Sequence, residues 1–278
     1  MEQIPLPYLL KQIPDAPKQL FIRGNFPSGE NTVFITIVGS RKFTPYGRQA
    51  CEYLVRGLRG YPVVIVSGLA LGIDTLAHET AIENNITTIA IPGSGLNDAA
   101  LYPATNRGLA EKIIQSGGCL LSEFEPNFKA TNWSFPRRNR IMAGISHALV
   151  VIEAENISGT RITARLGTEY NREVFAVPGS IFSAQSEGTN ELIREGATPL
   201  TSAQDIIDFF GFEKAEGNEQ FIALGPDEAK IMEQLTEPLS RNQLAEKLGM
   251  SIVTLNILLS SMEIKGLIKE NLGKIYRI

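Results

Sequence analysis

Six short apolar runs, at residues 33–38, 63–66, 87–91, 119–122, 148–152 and 173–177, leave this chain few ways to fold. Nearly all are apolar throughout and not in alternation, so both faces of each strand need cover. Between them stand helical patterns at 45–59, 73–84, 103–116, 137–146 and 160–171, with two more at 189–195 and 203–210. Strand and helix in regular alternation predict a doubly wound, mostly parallel α/β sheet with helices on both faces. With 43% apolar residues, 278 positions suffice for such a core and a second, smaller domain.

The flanks read differently. Residues 1–30 are rich in proline and are expected to form an irregular cap on a core spanning 31–212. A polar, charged stretch begins at Glu213, and 213–224 reads as a linker. Beyond it, 227–235 and 241–248 are amphipathic, Gly249 ends the second helix, and Ser251 caps a third that runs to about residue 264. Two strand-like segments, 266–270 and 274–278, close the chain. Three helices and a hairpin predict a winged helix-turn-helix over 225–278.

In an open α/β sheet, ligands bind beyond the carboxyl ends of the strands. Here those loops are small and hydroxylic: Gly39-Ser40-Arg41, Ser67-Gly68-Leu69-Ala70-Leu71-Gly72, Pro92-Gly93-Ser94-Gly95 and Ser158-Gly159-Thr160, the last opening a helix that carries Arg161 and Arg165. Small residues let backbone N–H groups approach a phosphate, and each triplet alone is also what an ordinary βα turn uses. The stretch Phe135-Pro136-Arg137-Arg138-Asn139-Arg140 adds three guanidinium groups at the start of the helix expected over 137–146. A helix N-terminus is already positive, so each arginine there costs up to roughly 1 kcal/mol unless an anion lies among them. Two anions fit: the carboxylates of Glu123 and Glu125 in a structural cluster, or a nucleic-acid backbone with Phe135 as a stacking platform.

Other classes are poorly served. A net charge of −4 rules against coating duplex DNA through a broad positive field, so any nucleic-acid site must be local. No Gly-x-Gly-x-x-Gly follows the first strand and no Walker loop occurs, so neither NAD nor ATP is expected as a cofactor. Two histidines, His78 and His147, and two distant cysteines, Cys51 and Cys119, make neither a metal centre nor a disulfide framework. Asp74 and His78, one turn apart, read as a helix-start carboxylate and a hydrogen-bonded imidazole more readily than as an acid–base pair. Glu153 and Glu155 alternate along an extended segment and point apart. No apolar run is long enough to span a bilayer, and the start of the sequence lacks a secretion pattern, so a cytoplasmic location is expected.

Taken together, these residues resemble the DNA-processing protein A family, also called DprA or Smf. The resemblance rests on Val38-Gly39-Ser40-Arg41 with Thr44-Pro45-Tyr46-Gly47, and on Gly68-Leu69-Ala70-Leu71-Gly72-Ile73-Asp74 with Ala77-His78. It continues through Tyr102-Pro103, Asn106, Ser122-Glu123, the stretch 135–140, Ser158-Gly159 with Ile162-Thr163-Ala164, the stretch 172–179, Gly188, Asn190 and Gly196-Ala197. It implies an extended Rossmann core that binds single-stranded DNA and hands it to the RecA recombinase during natural transformation, as a homodimer and not as an enzyme. It also implies a DNA pocket built from Gly39, Ser40, Arg41 and the block Phe135, Arg137, Arg138, Asn139 and Arg140. Gly68, Ser158, Gly159, Thr160 and Arg161 complete the candidate site by their place on the same sheet edge.

The departures are few. Many members carry a helical domain ahead of the core, and this sequence starts close to the core itself. Arg161 stands where an apolar residue is usual, and Asn171 where glycine is, asparagine being the other residue that tolerates a left-handed helix end. The C-terminal segment resembles the winged helix of many members, but its would-be recognition helix from Ser251 holds no Lys or Arg before Lys265. A major-groove reader needs cations at that helix, so this domain is expected to contact protein and not duplex DNA. Two rivals compete with a single-strand binder. A phosphoribohydrolase-like nucleotide enzyme would carry Pro-Gly-Gly-x-Gly-Thr, which is absent, and a transcription regulator led by the winged helix lacks the cations to read duplex DNA.

Overall fold

A computed structural model describes residues 2–27, 29, 31–156, 158–212, 225–264, 267–271 and 273–277. The chain divides into two compact units, residues 1–214 and 215–278. The stretch 213–224 that reads as a linker lies outside the described residues, as does Gly266, the expected start of the closing hairpin.

The larger unit is built on a nine-stranded sheet. Its strands are β1 (Glu2–Gln3), β2 (Phe21–Gly24), β3 (Val33–Val38), β4 (Val63–Ser67), β5 (Thr88–Ala90), β6 (Cys119–Ser122), β7 (Ala148–Val151), β8 (Glu173–Ala176) and β9 (Thr198–Pro199). The helices are α1 (Tyr8–Lys11), α2 (Pro45–Gly57), α3 (Ile73–Glu83), α4 (Arg107–Gln115), α5 (Ser134–Ile145), α6 (Gly159–Glu169), α7 (Ala184–Arg194) and α8 (Ala203–Phe210). Strand order is β1-β2-β6-β5-β4-β3-β7-β8-β9, parallel from β6 to β9 and antiparallel at the β1-β2-β6 edge. This is the doubly wound Rossmann-like α/β sheet that the apolar runs predict.

Strand alternation sorts the core into two layers. Ile35, Ile37, Ile65 and Val150 face Leu54, Val55, Leu76 and Ile206 of α2, α3 and α8. Val64, Val66, Ile89 and Val151 face Leu10, Ile141, Ile145, Ala164 and Leu192 of α1, α5, α6 and α7. On that second face Thr36 is buried, and its hydroxyl donates to Met142 O at 3.1 Å, which anchors the far end of α5 to β3. Asn171 takes φ 56° after α6, the left-handed turn for which asparagine substitutes for glycine.

Three segments differ from expectation. Residues 1–30 are not merely irregular: they contain β1, α1 and β2, because Phe21 and Ile22 pair with Ser122 and Leu121 of β6 and Leu10 packs into the second layer. Helix α7 starts at Ala184, five residues earlier than expected over 189–195, and its Gly188 lies flat against the carbonyls of Ala154 and Glu155. The expected 103–116 helix divides into a 3₁₀ turn, Ala104–Asn106, and α4.

The smaller unit contains α9 (Pro226–Gln234), β10 (Leu239–Ser240), α10 (Arg241–Leu248), α11 (Ile252–Ile264), β11 (Ile268–Asn271) and β12 (Lys274–Arg277). Its sheet order is β10-β12-β11, all antiparallel. Ile231, Leu244, Leu255, Leu259, Met262 and Ile275 form its own core. Ser240 caps α10, Gly249 ends it at φ 64°, and the Ser251 hydroxyl accepts from Thr254 N at 3.1 Å to open α11. This is the winged-helix arrangement.

Candidate nucleic-acid interface

Because β3 has β4 on one side and β7 on the other, the chain leaves neighbouring strand ends in opposite directions, and a crevice opens between the loops that follow β3 and β7. Gly39, Ser40, Arg41 and Lys42 form one wall; Ala154, Glu155, Ser158, Gly159 and Thr160 form the other; Phe135, Arg138 and Asn139 of α5 close the end. The cavity holds about 440 Å³. Across its floor the Thr160 hydroxyl donates to Gly39 O at 3.2 Å, and Asn139 Nδ2 donates to Gly159 O at 3.4 Å.

Helix α5 enters three residues before the expected 137. Pro136 stands in its first turn, where a missing N–H leaves nothing unsatisfied. Ser134 fixes that entry: its hydroxyl accepts from Thr131 N at 3.1 Å and donates to Gly93 O. A Cβ at Gly93 would lie 2.7 Å from the Phe135 ring, so the glycine loop after β5 is what lets the ring sit down against the sheet edge.

The three arginines of this helix do not form one cluster. Arg138 is buried, and its Nη1 donates to Gly68 O and Ile91 O at the ends of β4 and β5. Asp74 lies beside it, held by donation from Gly68 N at 3.1 Å and Ala70 N at 3.3 Å. Burial pushes the Asp74 carboxyl up against the opposing pull of Arg138, and burial draws the Arg138 guanidinium down to about 10. Gly68 is the space they share, since a Cβ there would overlap both the guanidinium and the carboxylate. Arg140 turns the other way, to Glu123 and to Asp15 O at 2.6 Å. Arg137 reaches the same Glu123 at 3.2 Å with half of its side chain in solvent. Glu125 has no arginine partner among the described residues; it accepts from Gln19 Nε2.

What remains unpaired is Arg41. Its guanidinium stands 5.7 Å from the Phe135 ring centroid, it is exposed, and neither it nor Lys42 has an acidic partner among the described residues. Tyr102 packs against the same ring, centroid to centroid 5.5 Å and tilted by 49°. Gly39, Ser40, Arg41, Phe135, Asn139, Ser158, Gly159 and Thr160 therefore share one crevice, with Gly68 and Arg138 beneath it. Arg161 does not join them: it donates to Asn156 O at 3.1 Å and pairs with Glu195 at 3.0 Å, on the wall of a neighbouring cavity. Arg137 and Arg140 line a third hollow, separated from the crevice by Pro136 and Ile162.

His78 and Glu153 are held within the fold. His78 Nδ1 meets the Thr88 hydroxyl at 2.7 Å, that hydroxyl donates onward to Ile65 O, and burial pushes the imidazole down to about 3. Glu153 accepts from Thr44 N at 2.9 Å and from the Thr44 hydroxyl, pinning the start of α2. No His/Cys/Asp/Glu cluster able to hold a metal occurs among the described residues. Sequence reasoning missed Lys42 and Tyr102. The signal for Lys42 was its position after Arg41 in the same loop, whereas Tyr102 comes from a loop between β5 and α4 that no local pattern directs to Phe135.

A family model described as DNA recombination-mediator protein A matches residues 2–211. The DNA processing protein DprA of Streptococcus pneumoniae is 41% identical over 211 residues, covering 74% of this chain and 71% of that protein. DprA of Bacillus subtilis is 39% identical over 215 residues, covering 77% and 70%, and protein Smf of Escherichia coli is 38% identical over 198 residues, covering 71% and 52%. The X-ray structure of the S. pneumoniae protein superposes with a TM-score of 0.67 over 75% of this chain and 72% of that one. DNA processing protein A from Helicobacter pylori, whose structure describes a single-stranded DNA binding mode, is 32% identical, with a TM-score of 0.66 over 75% of this chain and 94% of that one.

Proposed function

Since this chain belongs to the DNA recombination-mediator protein A family, we propose that it binds single-stranded DNA in the switch-point crevice, protects it, and loads RecA onto it during natural transformation. The observation that carries this reading is Arg41: an unpaired guanidinium over the face of Phe135, at the mouth of a crevice walled by glycine and hydroxyl residues. Phosphate binds the cation and the backbone N–H groups, and a base stacks on the ring, which is how single strands are held without sequence readout. The single-strand binding of the H. pylori relative supports the same reading. In it Gly39, Ser40, Arg41, Ser158, Gly159 and Thr160 contact DNA with Phe135 and Asn139, Gly68 and Arg138 hold the edge in shape, and Arg137, Arg140 and Arg161 set the flanks.

The protein acts in the cytoplasm as a homodimer through its core, without catalysis of its own. The winged helix contacts protein: α11 exposes Ile252, Val253 and Ile257 where a duplex reader would carry cations. The test is binding of labelled oligothymidine and a matched duplex across a salt series, with wild type beside Arg41→Ala/Lys42→Ala. Arg138 stays intact because it holds the fold. Preference for the single strand, with a salt slope that flattens in the variant, supports the proposal. Equal, feeble binding by both overturns it, and release of free base from a nucleoside monophosphate would establish the nucleotide-enzyme alternative. RecA loading is read separately, as acceleration of RecA ATP hydrolysis on DNA coated with single-strand-binding protein.

A further inference from the structure

The DNA track does not end at Phe135. Trp133, the chain's one tryptophan, immediately precedes α5 and is 52% exposed, although its ring is held firmly by edge contacts to Phe124 at 5.7 Å and Phe128 at 5.5 Å. The Arg137 guanidinium stands 5.8 Å from its centroid, itself half in solvent. An aromatic ring fixed from behind, open in front and flanked by a half-exposed cation has the composition of a base-stacking site. Three observations join it to the crevice. Trp133 and Phe135 lie two residues apart at the start of α5, so the rings leave the backbone on different sides and neither covers the other. Ser134 between them is locked to Gly93 and Thr131, so the two rings keep a constant relation. The hollow lined by Lys18, Arg137 and Arg140 adjoins the crevice across Pro136 and Ile162, and its Arg137 is the cation that stands over the Trp133 ring.

We infer that Trp133 is a second stacking platform, which takes a base farther along the strand than the one on Phe135 while Arg137 swings from the ring to a phosphate between them. Glu123 keeps its charge balanced by Arg140 during that movement, so the swing leaves no bare buried carboxylate. This rests on the single-strand reading above and adds a residue, a cation and a direction to it.

The single tryptophan makes the test direct. The full chain is titrated with labelled oligothymidine while oligonucleotide anisotropy and tryptophan emission, excited at the red edge where tyrosine is silent, are followed together. Emission is expected to fall saturably with the same midpoint as anisotropy, and not to change with a matched duplex. Trp133→Ala is expected to weaken binding roughly 5- to 100-fold, and Trp133→Phe to restore most of it. Circular dichroism of each variant verifies its fold. Binding by anisotropy with unchanged emission, or with wild-type affinity in a folded Trp133→Ala, overturns the second platform and leaves the crevice reading standing. Absence of single-strand binding in wild type overturns both.

Discussion

Two helices of this protein stand where proteins of their architecture meet DNA, and they are equipped in opposite ways. Helix α5 carries three arginines beside the switch-point crevice of the core, of which only Arg138 lines it, whereas α11, in the recognition position of the winged helix, presents Ile252, Val253 and Ile257 and no cation. Both folds are competent scaffolds, so architecture alone assigns DNA to neither. The difference lies in what each side chain is already bound to. Even within α5, Arg138 and Arg140 are consumed by the protein, and the free charge at the crevice belongs to Arg41 and Lys42 on another element. In an acidic chain, a binding site is set by which cations lack partners and not by where cations are dense.

The hardest blow to this contrast is Arg138→Met. It strips Gly68 O and Ile91 O of a donor and leaves Asp74 buried without its counter-charge, so unfolding free energy is expected to drop by about 3–5 kcal/mol in urea titration. A variant as stable as wild type would show that Arg138 is free to serve DNA. Acidification sharpens the same point. His78 stays neutral in the fold down to about pH 3 while an exposed histidine protonates near 6.5, so the unfolded chain takes up the proton between those values. Its share of stability is intact above 6.5 and is expected to decline by about 2 kcal/mol from pH 7 to pH 5, a slope that His78→Gln should flatten in denaturation curves. Arg41→Ala is expected to lower single-strand affinity roughly tenfold and the salt slope by about 1, with an unchanged thermal midpoint. Least in size, Val253→Arg/Ile257→Arg on α11 is expected to raise duplex binding only a few-fold at low salt, read by electrophoretic mobility.

The alternating apolar runs made the parallel sheet and most of its helices legible, because buried parallel strands must be apolar along their whole length. The edge was not legible. Strand β2 is four residues, Phe-Ile-Arg-Gly, and becomes a strand through its partner β6, about a hundred residues on. The glycine and hydroxyl loops and Phe135 could be placed at one sheet edge because they follow strands or start a helix, and those positions are fixed by topology. The fates of Arg137, Arg138 and Arg140 were not readable beyond the rule that helical spacing turns some inward. Which carbonyl or carboxylate waits on each side depends on Gly68, Ile91, Asp15 and Glu123, and these meet only in the folded sheet.

The Arg138 fork has a consequence for motion. By tying the ends of β4 and β5 to the first turns of α5, it makes the rim of the crevice part of the same cooperative unit as the central strands. Amide protons around Gly68 and in the first half of α5 should then exchange with solvent only through opening of the whole core, at rates close to those of Ile65 and Ile89. A rim that cannot breathe by itself does not mould itself to a ligand. In the proposed single-strand complex the conformational adjustment falls to the DNA and to the loop that carries Arg41 and Lys42.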